Sequence, residues 1–169
     1  DRLYGQAFWE IKSVKSGLEQ VQVRQQQLVK ELQRAEKLCA AFEAANCTLP
    51  PGAQILEIGC AFGLIVSTIA KNYQAVPFGV EPSELAAGFA KAHGGVGVIA
   101  STIDQLAETE IQKRMDMILF SHVMENVVDL DKVFSAITRW LTPNGIVLME
   151  TPNSSVKNST HTYHPYCFS

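Results

Sequence analysis

Once past Leu49-Pro50-Pro51-Gly52, the chain alternates short apolar runs with amphipathic stretches in strict succession, and this alternation constrains the fold more than any other feature. The apolar runs cover 54–58, 75–80, 96–100, 115–121 and 145–150. Segments near 63–73, 84–93, 104–113 and 129–141 read as the helices between them. Strands alternating with helices imply βαβ units around a parallel sheet. Asn144-Gly145 predicts a tight turn just ahead of the fifth run. The expectation for residues 49–169 is therefore an α/β domain with five parallel strands and helices on both faces.

Residues 1–48 follow another period. From about residue 6 to 45 the chain is rich in Gln, Glu, Lys, Leu and Val, lacks Pro, and predicts one long helix. Ile11, Val14, Leu18 and Val21 step by three and four, and Leu28, Leu32, Ala35, Cys39 and Phe42 continue the register, with Gln25 the one break. Such a row reads either as the seam of a coiled coil or as the apolar stripe of a helix lying across its own domain. At 1.5 Å per residue the helix would reach about 60 Å, longer than a small domain is wide. Its front half should project and need a partner, most simply a second copy of the chain, with Gly17 its weakest point.

The composition, 47% apolar and 18% charged, is that of a globular protein with a core. A net charge of -3 gives no general attraction to nucleic acid or to an anionic membrane, and no apolar stretch reaches spanning length. Neither a nucleic-acid partner nor a membrane span is expected. Cys39, Cys47, Cys60 and Cys167 form no C-x-x-C pair, which suits a reduced, cytoplasmic protein. The chain opens directly on charged and aromatic residues, as a piece of something longer would.

The first apolar run ends in Glu57-Ile58-Gly59 and passes through Cys60-Ala61-Phe62-Gly63 into a helix. In a parallel sheet, ligands bind outside the carboxyl ends of the strands, where this loop falls. Gly59 lets the backbone turn sharply beside a ligand, and Gly63 lets the helix start unobstructed. The second run ends in Glu81-Pro82, and one ionised carboxylate there can accept from both hydroxyls of a ribose. A dinucleotide fingerprint needs G-x-G-x-x-G, but Ala61 and Leu64 occupy its second and third glycine positions. Glu57 adds negative charge beneath the loop, which suits a ligand bearing ammonium and sulfonium groups better than a pyrophosphate.

In these residues the chain resembles the class I S-adenosylmethionine-dependent methyltransferases, which have a Rossmann-like fold, and within them the ubiquinone-type small-molecule group. Leu56-Glu57-Ile58-Gly59-Cys60-Ala61-Phe62-Gly63 is similar to the family's first motif and Val80-Glu81-Pro82 to its acidic second. Ala100-Ser101-Thr102-Ile103-Asp104 is similar to the segment lining the adenine. The stretch from Asp116 through Ser121-His122-Val123-Met124-Glu125-Asn126 resembles the fourth-strand motif. Leu141-Thr142-Pro143-Asn144-Gly145 and Glu150-Thr151-Pro152-Asn153 resemble the approach to and exit from the fifth strand.

The resemblance implies S-adenosylmethionine as cofactor and S-adenosylhomocysteine as product. It implies Gly59, Cys60 and Ala61 along the methionine portion and Glu81 on the ribose. Thr102, Ile103 and Asp104 would flank the adenine, and Phe120, Ser121 and His122 would lie under the sulfonium. Ala61 replaces a common glycine, which a backbone contact tolerates if its φ stays negative. Asn126 stands where a histidine is frequent. The family fold continues beyond the fifth strand, so the C-terminal part of the domain is expected to be missing from this chain.

An oxygen or nitrogen acceptor can require a base. The candidates are His122, Glu125 and His164, with His161 and Tyr163 beside the last. The tail resembles a stretch that covers the active site in relatives. His161, His164 and Cys167 lack the second ligand pair that a zinc site wants, so no metal is expected. Two functions fit: a methyltransferase acting on a small-molecule or glycan- or lipid-type acceptor, or a non-catalytic scaffold module of a larger protein.

Overall fold

The computed structural model describes residues 17–108, 114–156, 166 and 168. Helices and strands alternate as expected: α1 (Gly17–Ala44), β1 (Gln54–Ile58), α2 (Leu64–Tyr73), β2 (Val76–Val80), α3 (Glu84–Gly94), β3 (Gly97–Ala100), α4 (Ile103–Glu108), β4 (Met115–Ser121), α5 (Leu130–Trp140) and β5 (Leu141–Glu150). A short 3-10 segment, Met124–Asn126, follows β4. The strands form one parallel sheet in the order β3-β2-β1-β4-β5. The chain winds outward from β1 to β3, then returns to place β4 on the other side of β1. That reversal opens a crevice at the carboxyl ends of β1 and β4.

The two-residue period of the strands divides the apolar side chains between two cores. Ile55, Met117 and Leu119 face one layer, where α1 and α2 supply Ala35, Leu38, Phe42, Ile65, Val66 and Ile69. Leu56, Ile58, Ile118 and Phe120 face the other, where α4 and α5 supply Leu106, Val133, Ile137 and Trp140. Each of the fully buried Leu, Ile and Phe side chains contributes roughly 1.5–3 kcal/mol. By the same parity Glu57 falls on the α1/α2 side, and this places an acid beneath the loop that follows β1.

In α1, the row Ala35, Leu38, Cys39 and Phe42 is buried, and Phe42 meets the ring of Tyr73 edge-on with centroids 5.2 Å apart. The back half of this helix therefore lies across its own domain. Val29 and Leu32, further forward, are exposed. Ile11 and Val14 of the expected seam lie outside the described residues, as do the side chains of Leu18 and Val21.

The approach to the fifth strand differs from expectation. Asn144-Gly145 is not a turn ahead of β5, because the strand already begins at Leu141, opposite Met115. Pairing resumes at Ile146 opposite Met117, so the residues between bulge out of the ladder. A Cβ on Gly145 would stand 2.7 Å from Leu141 Cδ2 and 3.0 Å from the Thr142 carbonyl oxygen. The glycine is needed for the bulge rather than for a hairpin-like turn.

Candidate functional site

The site grows from the loop after β1. The Gly59 and Cys60 N–H groups both donate to Val80 O, at 2.8 and 3.0 Å, which ties the loop to the end of β2. Gly59, Ala61 and Gly63 have φ of 71°, 46° and 75°. A Cβ on Gly63 would stand 2.8 Å from Val96 Cγ2 and 2.9 Å from Ala90 Cβ, so only glycine lets α2 begin this close to α3. Ala61 does not meet the condition set for it: its φ is positive. The left-handed region costs an alanine roughly 1–2 kcal/mol. Its N–H donates to Glu81 Oε2 at 2.9 Å, and this bond holds the strained residue in place.

Glu81 is buried, and its other oxygen, Oε1, accepts from Ser83 N–H at 2.8 Å. Burial pushes its carboxyl above the ordinary range, and the two backbone donors pull it part of the way back. A carboxylate has about four acceptor positions, so lone pairs remain after both backbone bonds. Glu57 is also buried, and its Oε2 accepts from Val66 N–H at 3.1 Å in the first turn of α2. Its carboxyl is pushed well up, first by burial and then by the nearby charges of Glu31 and Glu81, against the pull of Val66 N–H and Arg34. Burial, with Glu57 and Glu81 beside it, also raises the Cys60 thiol, which stays protonated and inert.

A cavity of about 610 Å³ opens over this loop. Of the residues expected at a cofactor site, Glu57, Gly59, Cys60, Ala61, Glu81, Pro82, Thr102, Ile103, Asp104, Ser121 and His122 line it. Gly63 acts one step back, through helix packing. Phe120 is fully buried in the sheet core beneath the cavity and is not part of its wall.

At the end of β4 the acids and bases form a linked set. His122 has a φ of 55°, and its N–H donates to Glu150 O at 2.9 Å. Its ring Nδ1 lies 3.4 Å from Glu125 Oε1, and its Nε2 lies 3.8 Å from Glu150 Oε1. Glu150 Oε2 accepts from Ser121 Oγ at 2.6 Å and is paired with Arg34 Nε at 3.2 Å. Glu125, then Glu150, push the His122 imidazole up to about 9, against burial and the charge of Arg34. Burial would raise Glu150, but His122, Ser121 and Arg34 outweigh it and hold the carboxyl below its usual range. Glu125 supports His122 from below without lining the cavity, and its Oε2 is buried with no hydrogen-bond partner. His164, with His161 and Tyr163, lies outside the described residues.

Several wall residues were not anticipated. Glu31 and Arg34 reach the cavity from α1, and Val123, Val127, Val128 and Val133 give its outer part an apolar wall. Glu31 did leave a trace in the sequence: it stands four residues before Ala35, in line with Leu38 and Phe42, so an acid occupies the buried face of the helix. Arg34 and Lys132, the wall's cations, are paired with Glu150 and Asp104. Buried carboxylates and already paired cations do not fit a pyrophosphate.

A parallel sheet whose first loop and second-strand carboxylate share one cavity defines a Rossmann-like nucleoside-binding domain. A family model described as a methyltransferase domain matches residues 25–167. The chain belongs to this family, as a class I S-adenosylmethionine-dependent methyltransferase domain. It is 30% identical over 130 residues to a ubiquinone biosynthesis O-methyltransferase of Bartonella bacilliformis, covering 73% of this chain and 51% of the relative. It is 31% identical over 129 residues to the enzyme of that name from Brucella anthropi, covering 72% and 51%. The chain thus spans about half the length of the curated relatives it matches. Among solved structures, a SAM-dependent methyltransferase from Geobacter sulfurreducens in complex with S-adenosyl-L-homocysteine shares the fold, with a TM-score of 0.55 at 21% identity, over 70% of this chain and 48% of that one. Among the described residues, no helix is long and apolar enough to cross a membrane, and no cluster of metal-binding side chains occurs.

Proposed function

We propose that the cavity binds S-adenosylmethionine and that the protein transfers its methyl group to a small-molecule or glycan- or lipid-type acceptor, leaving S-adenosylhomocysteine. The observation that carries this reading is Glu81, a buried carboxylate fixed at the cavity by Ala61 and Ser83 with lone pairs left for a ribose. The relatives named as O-methyltransferases support an oxygen acceptor. When bound, S-adenosylmethionine would supply a methyl group on a good sulfur leaving group.

The chain's own residues then position the partners and exclude water, an effect worth about 7–11 kcal/mol when alignment is good. Gly59, Cys60 and Ala61 present backbone along the donor, Thr102, Ile103 and Asp104 flank the base, and the valine wall suits an apolar acceptor. His122, held as the imidazolium by Glu125 and Glu150, stabilises negative charge on an acceptor oxygen. The front half of α1, with Val29 and Leu32 exposed, supports a homo-oligomer joined by a coiled coil, and the free thiols of Cys39, Cys47 and Cys60 suit the cytoplasm.

Calorimetry with S-adenosylhomocysteine and with NAD tests the donor site. Binding of the first alone is expected, and a folded protein that binds neither, or only NAD, refutes the assignment. Glu81→Ala should weaken S-adenosylhomocysteine at least tenfold; unchanged affinity would remove the ribose role.

A further inference from the structure

The two oxygens of Glu150, at the end of β5, are used very differently. Oε2 accepts from Ser121 Oγ at 2.6 Å and is paired with Arg34 Nε at 3.2 Å, so partners from β4 and α1 hold the carboxylate in one orientation. Oε1 meets only His122 Nε2 among the described residues, at 3.8 Å. That is too long for a hydrogen bond, and is a separation that one further polar atom can bridge. The imidazole is divided in the same way. Its Nδ1 faces Glu125 Oε1, 3.4 Å away, which leaves Nε2 as the nitrogen turned to the gap.

The gap is open to an entering group. The side chain of His122 is 35% exposed and that of Glu150 30%. Arg34, Ser121 and His122 line the cavity, and Val123 and Val127 offer an apolar surface in the same wall. Burial works against it, but His122, Ser121 and Arg34 hold the Glu150 carboxyl below its usual range. Glu125, then Glu150, hold the imidazole up at about 9, so at neutral pH an anion faces a cation across the gap.

This arrangement decides what fits. A carboxylate is drawn to Nε2 and repelled by Oε1, and an ammonium is drawn to Oε1 and repelled by Nε2. An ether oxygen accepts from the nitrogen but has nothing to give the carboxylate. A neutral hydroxyl does both, donating to Oε1 and accepting from Nε2–H. Set to one side of the gap, its oxygen stands about 2.8 Å from each atom, with the two bonds near a right angle.

We propose that Glu150 Oε1 and His122 Nε2 form a two-sided clamp for one hydroxyl of the acceptor, which makes Glu150 a specificity-determining residue and not only a support for the imidazole. The use of the bound hydroxyl rests on the methyl-transfer reading above; the clamp itself needs no donor. Arg34 acts through Glu150, since by occupying Oε2 it keeps Oε1 turned to the gap.

Four small ring compounds test the clamp on the full chain: benzyl alcohol, benzyl methyl ether, benzylamine and benzoate. Binding is followed by NMR at the His122 ring, whose signals are identified by their loss in His122→Asn, an exchange that suits the positive φ of this position. In the wild type the alcohol should bind about tenfold more tightly than the other three, the effect of one hydrogen bond to a charged group. Glu150→Gln should weaken the alcohol and strengthen benzoate, whose repulsion is gone. A residue that only supported the fold would shift all four compounds alike. If Glu150→Gln does not fold, the wild-type ranking decides alone. Benzoate or benzylamine binding as well as the alcohol, an alcohol no better than its methyl ether, an unchanged ranking in Glu150→Gln, or a His122 ring that responds to none of them overturns the clamp. A wild-type protein that prefers the alcohol but binds no S-adenosylhomocysteine would refute the donor reading and leave the clamp standing.

Discussion

Ala61 is an alanine where the backbone asks for glycine. Its φ of 46° is sustained by the bond from its N–H to Glu81, so the residue that the cavity needs rigid is also the one that strains the loop. Ala61→Gly should raise the unfolding free energy by about 1 kcal/mol, the left-handed cost removed less the extra entropy of a glycine in the unfolded chain. Urea denaturation measures it, and a clear loss of stability would show that the alanine is not strained. Glu57 carries a second residue-level prediction. Its folded carboxyl is raised by burial, so its contribution to stability is full below the ordinary carboxyl range and falls as pH rises through the raised value. The wild type should therefore lose more stability between pH 5 and pH 8 than Glu57→Gln, which keeps an acceptor for Val66 N–H. Parallel thermal melts of the two proteins would refute the burial argument. His122 shows the same sign for a base: its ion pairs stabilise the fold fully below its ordinary value near 6.5 and fade as pH rises through about 9. In an NMR titration, Glu125→Gln should bring the His122 transition down, and an unmoved transition would take Glu125 out of the pair.

Among the elements, the strands were the most legible. Runs of apolar residues with both faces buried announce a parallel sheet, and the strand ends at Ile58, Val80 and Ser121 fall where the sequence places them. Glu57, Gly59 and Glu81 were readable for the same reason, since they sit at fixed distances from those ends. The fifth strand was harder because Thr142-Pro143-Asn144-Gly145 has turn chemistry, yet pairing of Leu141 with Met115 draws it into the ladder. The linked set at Glu150 could not be read at all: its partners come from α1 and β4, and proximity of that kind is decided by packing, not by local pattern. Helix α1 lies between these cases. Its period is plain, but the choice between a partner and its own domain depends on what Phe42 and Leu38 meet. Phe42→Ala should cost about 3–5 kcal/mol by loss of burial and of the contact with Tyr73. It should also weaken ligand binding, because Glu31 and Arg34 ride on the same helix. A loss below 1 kcal/mol in chemical denaturation would mean that α1 docks only loosely.

At the level of the whole molecule, a donor that binds only the folded protein must raise its stability by mass action. At a hundred times Kd this amounts to about 2.7 kcal/mol, whatever the chemistry of the acceptor. Thermal melts with S-adenosylhomocysteine should rise with its concentration on this scale, and a flat response would contradict a site in this domain. The two uses of α1 can also be separated by size. Deleting residues 1–24 leaves Glu31, Arg34 and the buried row in place, so sedimentation should change from oligomer to monomer while nucleoside affinity is kept. A species of unchanged size would remove the coiled coil and leave the helix a purely internal element.

The pairing of Arg34 with Glu150 joins a residue near the start of the described chain to one near its end. During synthesis the loop after β1 and Glu81 emerge early, but the wall that holds Arg34 and His122 in place is not closed until β5 leaves the ribosome. Contacts this far apart in sequence form late and slowly. A nascent chain arrested before Glu150 would carry the most recognisable motifs of the family and still lack the linked charges at the floor of its cavity. Ligand protection against proteolysis, absent from such an intermediate and present in the released chain, would therefore report completion of the fold and not merely the presence of its motifs.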